Sequence, residues 1–194
     1  MECLPFTGRV YVQIGNLPFN KRKQLKNHFV LSFVPFGGEF NEFIEPFVDE
    51  MKQLEKGMIM DIQGNKSFVI ASFGDVTADL PQGNDLTGVK RHSAIRGCRT
   101  CNAAKDSWTS EGLDLPLLSR YHHLTDSQFE EISMARTISN CKELATEYGL
   151  HLQPPILDQL KRERHLQTPQ DVYHLTAGKV LRFLKITIEA LCRQ

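Results

Sequence analysis

The sequence has no excess of charge of either sign, and this limits the partners that it can attract from a distance. Its 194 residues include 23 Lys and Arg against 23 Asp and Glu. No global field therefore draws the chain towards nucleic acid or a membrane, and affinity for nucleic acid has to come from local patches. The sequence also lacks an apolar run of about 18 residues, so we expect no transmembrane helix and no membrane partner.

A secretory signal and a disulfide framework are also missing. The first residues, MECLPFTGRVYVQIGNLPF, lack the basic and then apolar order of a secretory signal. Among the five cysteines, Cys98 and Cys101 alone are closely spaced, as expected for metal ligands or a redox pair in a reducing compartment. We therefore predict an intracellular protein.

Strand patterns dominate the first half of the chain. Residues 10–14 (VYVQI) and 28–34 (HFVLSFV) are rich in β-branched and aromatic residues and predict two strands. Residues 40–54 have apolar side chains at helical spacing, which predicts an amphipathic helix. Residues 58–62 and 67–73 flank a Gly-Asn turn signal and predict a hairpin. Since residues 67–73 are nearly all apolar, we expect that strand to be buried on both faces.

Helical patterns dominate the second half. Residues 127–148 predict one helix, with Asp126 or Thr125 as its N-cap and Gly149 at its end. A final helix is predicted to begin just after an N-cap at Thr168 and to run to Leu191.

This order of elements predicts an α/β fold with about four strands in one mixed sheet and a mainly helical C-terminal half. We expect residues 1–100 to form the α/β core and residues 101–194 to form a helical part packed on it. A zinc site is a candidate link between the two parts.

Asp79 is a candidate ligand for a divalent cation. It follows the predicted buried strand and precedes a Leu-Pro turn. A carboxylate at a strand end can hold Mg²⁺ or Mn²⁺, because the sheet fixes its oxygens while the tip stays open to substrate. The alternative is a helix cap or an Asx-turn. The neighbouring Asp85 fits a helix cap better than a metal ligand.

Outside residues 21–26, the densest basic patch of the sequence follows Asp79, and it is a candidate nucleic-acid surface. It contains Lys90, Arg91, Arg96 and Arg99, and a second basic run, KRKQLK, spans residues 21–26. Such cations suit phosphate contacts, and the alternative is an ordinary solvated surface.

Cys98 and Cys101 supply two thiolates, which is half of a tetrahedral zinc site. Several histidines are available as further ligands, at positions 92, 122, 123, 165 and 174. A redox pair and a pair of inert thiols are the alternatives. Asp171 and His174 stand three positions apart at the start of the final helix, so they share a face and suit a common metal. Asp171 also suits the helix dipole without any metal.

Four segments, taken in order, resemble the transposase domain of the CACTA and Kyakuja–Dileera–Zisupton DNA transposons. The first is VYVQIGNLP over residues 10–18, and the second is a Pro-Gly turn with a helix of the form F-x-x-x-x-x-P-F-V-x-E over residues 34–54. The third is D-L-P-x-x-x-x-L-x-G over residues 79–88, which is followed by His92 and the Cys-x-x-Cys pair. The fourth is D-x-x-H over residues 171–174. Together they cover most of the chain.

The resemblance implies a ribonuclease-H-like fold in which three carboxylates hold two divalent ions for DNA cleavage and strand transfer. Asp79 matches the family's second carboxylate, and Asp171 is the acid of the late motif, with Glu189 as a further candidate. The resemblance also implies structural zinc at Cys98, Cys101 and His174, for which His122 is our fourth candidate ligand, and it implies DNA as a partner in the nucleus.

The chain departs from the family pattern at its start, because the strand that carries the first catalytic Asp would precede residue 10 and no Asp stands there. We therefore expect a fragment of a transposase that does not cleave DNA by itself. The missing strand would leave an exposed sheet edge, through which self-association is expected. A zinc-stapled nucleic-acid-binding or interaction module without catalysis is the alternative function, and an unrelated α/β protein without metal is the third.

Overall fold

The structure is a computed structural model that describes residues 6–35 and 37–192, except for the side chains of Phe6, Thr7 and His174. In this part, the chain is a mixed α/β protein with seven α-helices and four strands. The predicted mixture of helices and strands is thereby confirmed. The described strands form two separate two-stranded antiparallel sheets rather than one mixed sheet, because each strand pairs with its neighbour in sequence.

The contacts divide the chain into two compact units. Unit 1 contains the described residues up to Gly74 together with Ile156–Arg162, and unit 2 contains Asp75–Pro155 and the described residues from Glu163 onwards. The whole Cys-x-x-Cys segment, on both sides of the boundary predicted at residue 100, lies in unit 2.

Unit 1 contains both sheets. β1 (Phe6–Val12) pairs with β2 (Phe29–Pro35), and β3 (Met58–Ile62) pairs with β4 (Asn65–Val69). The connection between β1 and β2 contains the short helix α1 (Phe19–Arg22). The first two strands and the β3–β4 hairpin lie close to their predicted positions.

The β3–β4 hairpin turns at Gln63 and Gly64, whose φ angles are 56° and 82°, as a two-residue hairpin turn requires. The strand predicted over residues 67–73 ends at Val69, and the prediction that it is buried on both faces is wrong. Phe68 is 65% exposed and Ile70 is 64% exposed. An apolar strand is buried on both faces only where layers cover both, and β4 pairs with β3 alone among the described strands.

The long helix of unit 1 is α2 (Phe40–Lys56), which confirms the helix predicted from residue 40. Its apolar stripe buries Ile44, Val48 and Met51, and α2 contacts β2. The helix ends at Gly57, whose φ of 89° favours glycine and whose Cα faces the ring of Phe68.

Unit 2 is helical. Its helices are α3 (Leu80–Leu86), α4 (Leu115–Leu118), α5 (His122–Met134), α6 (Ile138–Tyr148) and α7 (Val172–Leu191). Its apolar core contains Phe129 and Ile132 of α5 and Ala145 of α6. Val89 and Leu150, which lie outside the helices, complete the core.

Two helix predictions in unit 2 are wrong. The single helix over residues 127–148 is instead α5 and α6, because Ala135 is extended and the Thr137 side chain caps α6 by accepting the Asn140 N–H at 3.2 Å. The predicted end at Gly149 is confirmed, with a φ of 68°. The final helix begins at Val172, so the fully buried Thr168 is not its N-cap.

Helix α7 differs from the other helices of unit 2 in its surroundings. Every described side chain in it is exposed, including Phe183 at 71% and Leu181 at 70%. Among the described helices, none is long and apolar enough to cross a membrane.

Candidate functional site

Asp79 is the N-cap of α3. Its Oδ1 accepts the backbone N–H of Gln82 at 2.9 Å, and the side chain is otherwise exposed. Residues 70–79 form no strand, so the expectation that Asp79 stands at a strand end is wrong, and the alternative role as a helix cap is observed. Asp85, predicted as a cap, lies inside α3.

The guanidinium of Arg99 lies between the segments of both predicted catalytic acids. Arg99 is fully buried, and it donates from Nη1 to the Leu80 carbonyl at 3.2 Å and from Nη2 to the Pro169 carbonyl at 2.6 Å. Burial lowers its pKa, while the negative charges of Cys98, Asp171 and Asp79 act in the opposite direction. Asp79 and Asp171 therefore act on one cation although they lie far apart in sequence.

Gly83 makes room for this guanidinium. A Cβ on Gly83 would lie 2.1 Å from Arg99 Nη1 and 2.6 Å from its Cζ, much closer than any real contact. Glycine at this position of α3 is therefore required by the close approach of Arg99 rather than by backbone conformation.

Asp171 is half-buried and directly precedes α7, where its carbonyl accepts the Leu175 N–H at 3.1 Å. Its predicted partner His174 lies in the first turn of α7, and the side chain of His174 is outside the described part.

The two thiols of the Cys-x-x-Cys segment are in contact and differ in acidity. Burial alone raises the pKa of Cys98, but hydrogen bonds from Thr100 and Cys101 outweigh it and lower the pKa below that of a free thiol. The Sγ of Cys98 lies 3.2 Å from Thr100 Oγ1. Burial and the neighbouring Cys98 raise the pKa of Cys101.

Arg120 holds this segment in place. It is 4% exposed, and its guanidinium donates to the carbonyls of Cys98 at 2.8 Å and of Arg96 and Tyr148 at 3.0 Å each. Burial lowers its pKa to about 10, against the opposing effect of the two thiols. A fixed cation thus lies beside Cys98 and Cys101.

The described residues do not complete a metal site. The two thiols supply half of a tetrahedral set. The ring of His122 is engaged elsewhere, since Nδ1 accepts the Arg164 N–H at 3.1 Å and Nε2 lies 3.2 Å from Asp126 Oδ2. In the described part of the chain, no three His, Cys, Asp or Glu side chains are grouped to hold a metal ion. This applies to zinc and to Mg²⁺ or Mn²⁺ alike.

His165 is a buried titratable group, and the sequence suggested it only as one of several histidines available as zinc ligands. It is 6% exposed, with Nδ1 at 2.9 Å from the Arg99 carbonyl and Nε2 at 2.9 Å from Thr125 Oγ1. Because a carbonyl only accepts, Nδ1 carries the proton and the Thr125 hydroxyl donates to Nε2. Burial, followed by the charges of Arg164 and Arg120, lowers the pKa of His165 to about 3.

The four cations predicted to contact nucleic acid all have partners within unit 2. Lys90 Nζ donates to Thr146 Oγ1 at 2.7 Å, and burial lowers its pKa. Arg91 lies 2.7 Å from the carboxylate of Asp85, which raises the pKa of Arg91. Arg96 donates to the Asn102 carbonyl at 3.2 Å. Arg99 is buried, whereas Arg91 stays exposed beside its partner Asp85 and Lys90 and Arg96 are half-buried. Each cation of the predicted patch therefore has a contact within unit 2, and only Arg99 is removed from solvent.

A separate group of exposed cations lies in the connection between β1 and β2. Lys21, Lys23 and Lys26 are exposed there, and no ion pair joins them to any described residue. The sequence feature that could have predicted these lysines as a basic surface is the complete lack of Asp and Glu from residue 3 to residue 38.

Comparison with known proteins yields no family model, no curated protein and no solved structure that matches this chain. Function therefore has to be inferred from the residues and contacts of the chain itself.

Proposed function

We propose that this chain is a transposase-derived domain related to the ribonuclease-H-like fold, which binds DNA in the nucleus and does not cleave it. The ordered resemblance of four segments supports the ancestry. The observation that carries the proposal is the position of Arg99, whose buried guanidinium donates to the carbonyls of Leu80 and Pro169, in the segments of Asp79 and Asp171. These acids are the two that the resemblance matches to catalytic positions.

The contacts of Asp79 and Arg99 argue against cleavage. Two-metal hydrolysis needs carboxylate oxygens that are open to divalent ions on either side of the scissile phosphate. One oxygen of Asp79 instead accepts the Gln82 N–H. The guanidinium of Arg99 is held by two carbonyls and supplies positive charge between the acids. A divalent ion at this place would be repelled by a fixed cation that cannot leave.

A nicking assay tests the lack of cleavage. Purified protein is incubated with supercoiled plasmid and Mg²⁺ or Mn²⁺, alongside Asp79→Asn and the control Asp75→Asn, which changes an exposed acid in the same segment. We expect no nicking above the protein-free background in any sample. Nicking by the natural chain that disappears in Asp79→Asn and persists in Asp75→Asn would refute the proposal.

The second candidate is a zinc-stapled nucleic-acid-binding or interaction module, favoured by the contact between the thiols of Cys98 and Cys101. It needs two further ligands. Metal analysis of the purified chain separates the two candidates, with a Cys98→Ser, Cys101→Ser variant and the control Cys141→Ser. One zinc per chain that is lost in the double variant and kept in the control would favour this candidate.

Self-association through a sheet edge also belongs to the proposal. Each strand of the β1–β2 and β3–β4 sheets pairs on one side among the described residues, and an unpaired strand edge can accept a second chain. Size-exclusion chromatography at increasing concentration gives the oligomeric state directly.

A further inference from the structure

The β1–β2 hairpin carries charge of one sign, although the whole chain is neutral. Between residues 3 and 38 there are five Lys and Arg residues and no Asp or Glu. The zero net charge of the chain therefore hides a segment with a local positive potential, which is where an anionic polymer would be attracted.

The connection between the two strands is a folded tip that projects its lysines. Arg22 Nη1 donates to the Gly15 carbonyl at 2.9 Å, and Asn27 Nδ2 donates to the Lys21 carbonyl at 2.8 Å. These bonds tie the two sides of the connection together. The lysine side chains at positions 21, 23 and 26 remain exposed.

Aromatic side chains lie beside these cations and along the two strands. Phe19 is 71% exposed, and Lys23 Nζ lies 5.7 Å from the centre of its ring. Across the ladder, Arg9 is paired with Phe33, which is 46% exposed. Tyr11, two positions after Arg9 and therefore on the same face of β1, is 49% exposed.

We propose that the β1–β2 hairpin binds single-stranded nucleic acid through its exposed cations and aromatic rings. The hairpin surface consists of seven residues, Arg9, Tyr11, Phe19, Lys21, Lys23, Lys26 and Phe33. Its cations contact successive phosphates, and its aromatic rings stack on bases. The proposal does not depend on the proposed ancestry or on the site in unit 2.

Two features favour single-stranded nucleic acid over the other anionic partners. The exposed rings can reach base faces only where the bases are unpaired, so a duplex would leave them without a role. A membrane-binding surface separates an apolar face from a basic face. Here the cations and rings interleave, as the contact of Lys23 with Phe19 and the pairing of Arg9 with Phe33 show.

Fluorescence anisotropy with a labelled oligothymidylate, measured over a series of salt concentrations on the full chain, tests the proposal. The variant Lys21→Gln, Lys23→Gln, Lys26→Gln is compared with the control Lys66→Gln, Lys105→Gln, Lys142→Gln, which removes the same charge from three other exposed lysines.

We expect the hairpin variant to bind about tenfold or more weakly near physiological salt and to lower the salt slope by about 2, since each phosphate contact on a single strand contributes about 0.7. The control variant should bind as the natural chain does. Phe19→Ala, which keeps every charge, should weaken binding about tenfold through the loss of stacking on one base.

Several results would overturn the proposal. These are the absence of oligothymidylate binding at low salt, an equal loss in the control variant, and duplex binding as tight as single-strand binding with no effect of Phe19→Ala. Binding to phosphatidylserine vesicles without oligonucleotide binding would overturn it in favour of a lipid surface. This inference supplies a surface for the DNA binding of the proposed function, so a lack of oligothymidylate binding would count against that part as well. The lack of cleavage is tested separately by the nicking assay, which reads a different outcome.

Discussion

Protonation of His165 should govern much of the acid sensitivity of unit 2. The ring is buried between the Arg99 carbonyl and the Thr125 hydroxyl, which fix the neutral form with its proton on Nδ1. A second proton on Nε2 would meet the hydrogen that Thr125 donates. It would also place a cation beside Arg164 and Arg120 in a buried environment. Burial and these charges therefore hold the ring neutral.

The sign of the effect follows from the two pKa values of His165. In the folded chain the pKa is lowered to about 3, whereas an unfolded histidine titrates near pH ~6.5. As the pH falls below that value, the unfolded chain takes up a proton that the folded chain does not. The contribution to stability is therefore complete above pH ~6.5 and is lost on acidification, at up to ~1.4 kcal/mol per pH unit.

Urea unfolding at pH 7 and pH 4.5 measures this contribution. We expect the natural chain to lose about 2.5 kcal/mol more than His165→Gln does over this interval, which is nearly two pH units at the full slope. The exposed His123, changed to Gln, is the control and should behave as the natural chain. Comparing differences between chains removes the effect of acids that titrate in all of them.

The ring can also be observed directly in the natural chain, which avoids any doubt about the folding of the variant. In an NMR titration, the His165 Cε1–H resonance should keep its neutral position down to pH ~4 while an ordinary histidine titrates near ~6.5. The reasoning fails if His165 titrates with the exposed histidines, or if His165→Gln keeps the full pH dependence of the natural chain.

Two further predictions concern single side chains of unit 2. Gly83→Ala should destabilise the chain by about 1–3 kcal/mol, because its Cβ would overlap the buried Arg99 guanidinium. The control Gly178→Ala lies in the exposed helix α7, meets nothing within 4 Å and should stabilise the chain by up to ~1 kcal/mol. Thermal unfolding that finds Gly178→Ala less stable than Gly83→Ala would contradict the packing argument. In chelator-treated protein at pH ~7.5, iodoacetamide should modify Cys98 before Cys101, since the pKa of Cys98 is lowered and that of Cys101 is raised. Peptide mapping by mass spectrometry measures the order of modification, and modification of Cys101 first would refute this prediction.

The elements that depend on local spacing could be predicted from the sequence. The stripe of apolar residues that gave α2 and the turn signal that gave the β3–β4 hairpin lie within a few residues of one another. Gly149 was likewise predictable as a helix end from its place after the apolar pattern, and its φ of 68° agrees with that prediction. The close approach of the Arg96 carbonyl, which a Cβ on Gly149 would meet at 2.1 Å, was not visible in the sequence.

Features that the apolar pattern does not mark were predicted wrongly. A helix over residues 127–148 has no break in its apolar pattern, yet the chain ends one helix at Met134 and caps the next with Thr137. Asp79 is similar, because its sequence context left both a metal ligand and a helix cap open, and the structure shows the cap. Its surroundings include Arg99, which approaches α3 from a separate segment of the chain.

The basic residues show the same limit. The sequence predicted that Lys90 and Arg91 form a basic surface patch. In the folded chain, Lys90 donates a hydrogen bond to Thr146 and Arg91 donates one to Asp85. The lysines of residues 21–26 remain exposed because no acid stands near them in sequence and no described acid forms an ion pair with them. The density of cations and the lack of nearby acids both point to residues 21–26, which contain four Lys and Arg in six residues.

The buried arginines of unit 2 connect these observations. Arg99 and Arg120 are held mainly by backbone carbonyls, and Arg164 contacts Asp126 at 2.6 Å and the ring of Phe129 at 5.4 Å. A guanidinium offers five N–H donors in a rigid planar fork, whereas a lysine ammonium offers three on a flexible stem, so these arginines suit the role of fixed braces. Positive charge is therefore already built into the region that surrounds the predicted acids and thiols. A divalent cation would add to that charge, whereas Lys21, Lys23 and Lys26 of the β1–β2 hairpin form no ion pair with any described residue. This difference in charge is the reason why we propose an anionic polymer as a partner of unit 1 rather than of the centre of unit 2.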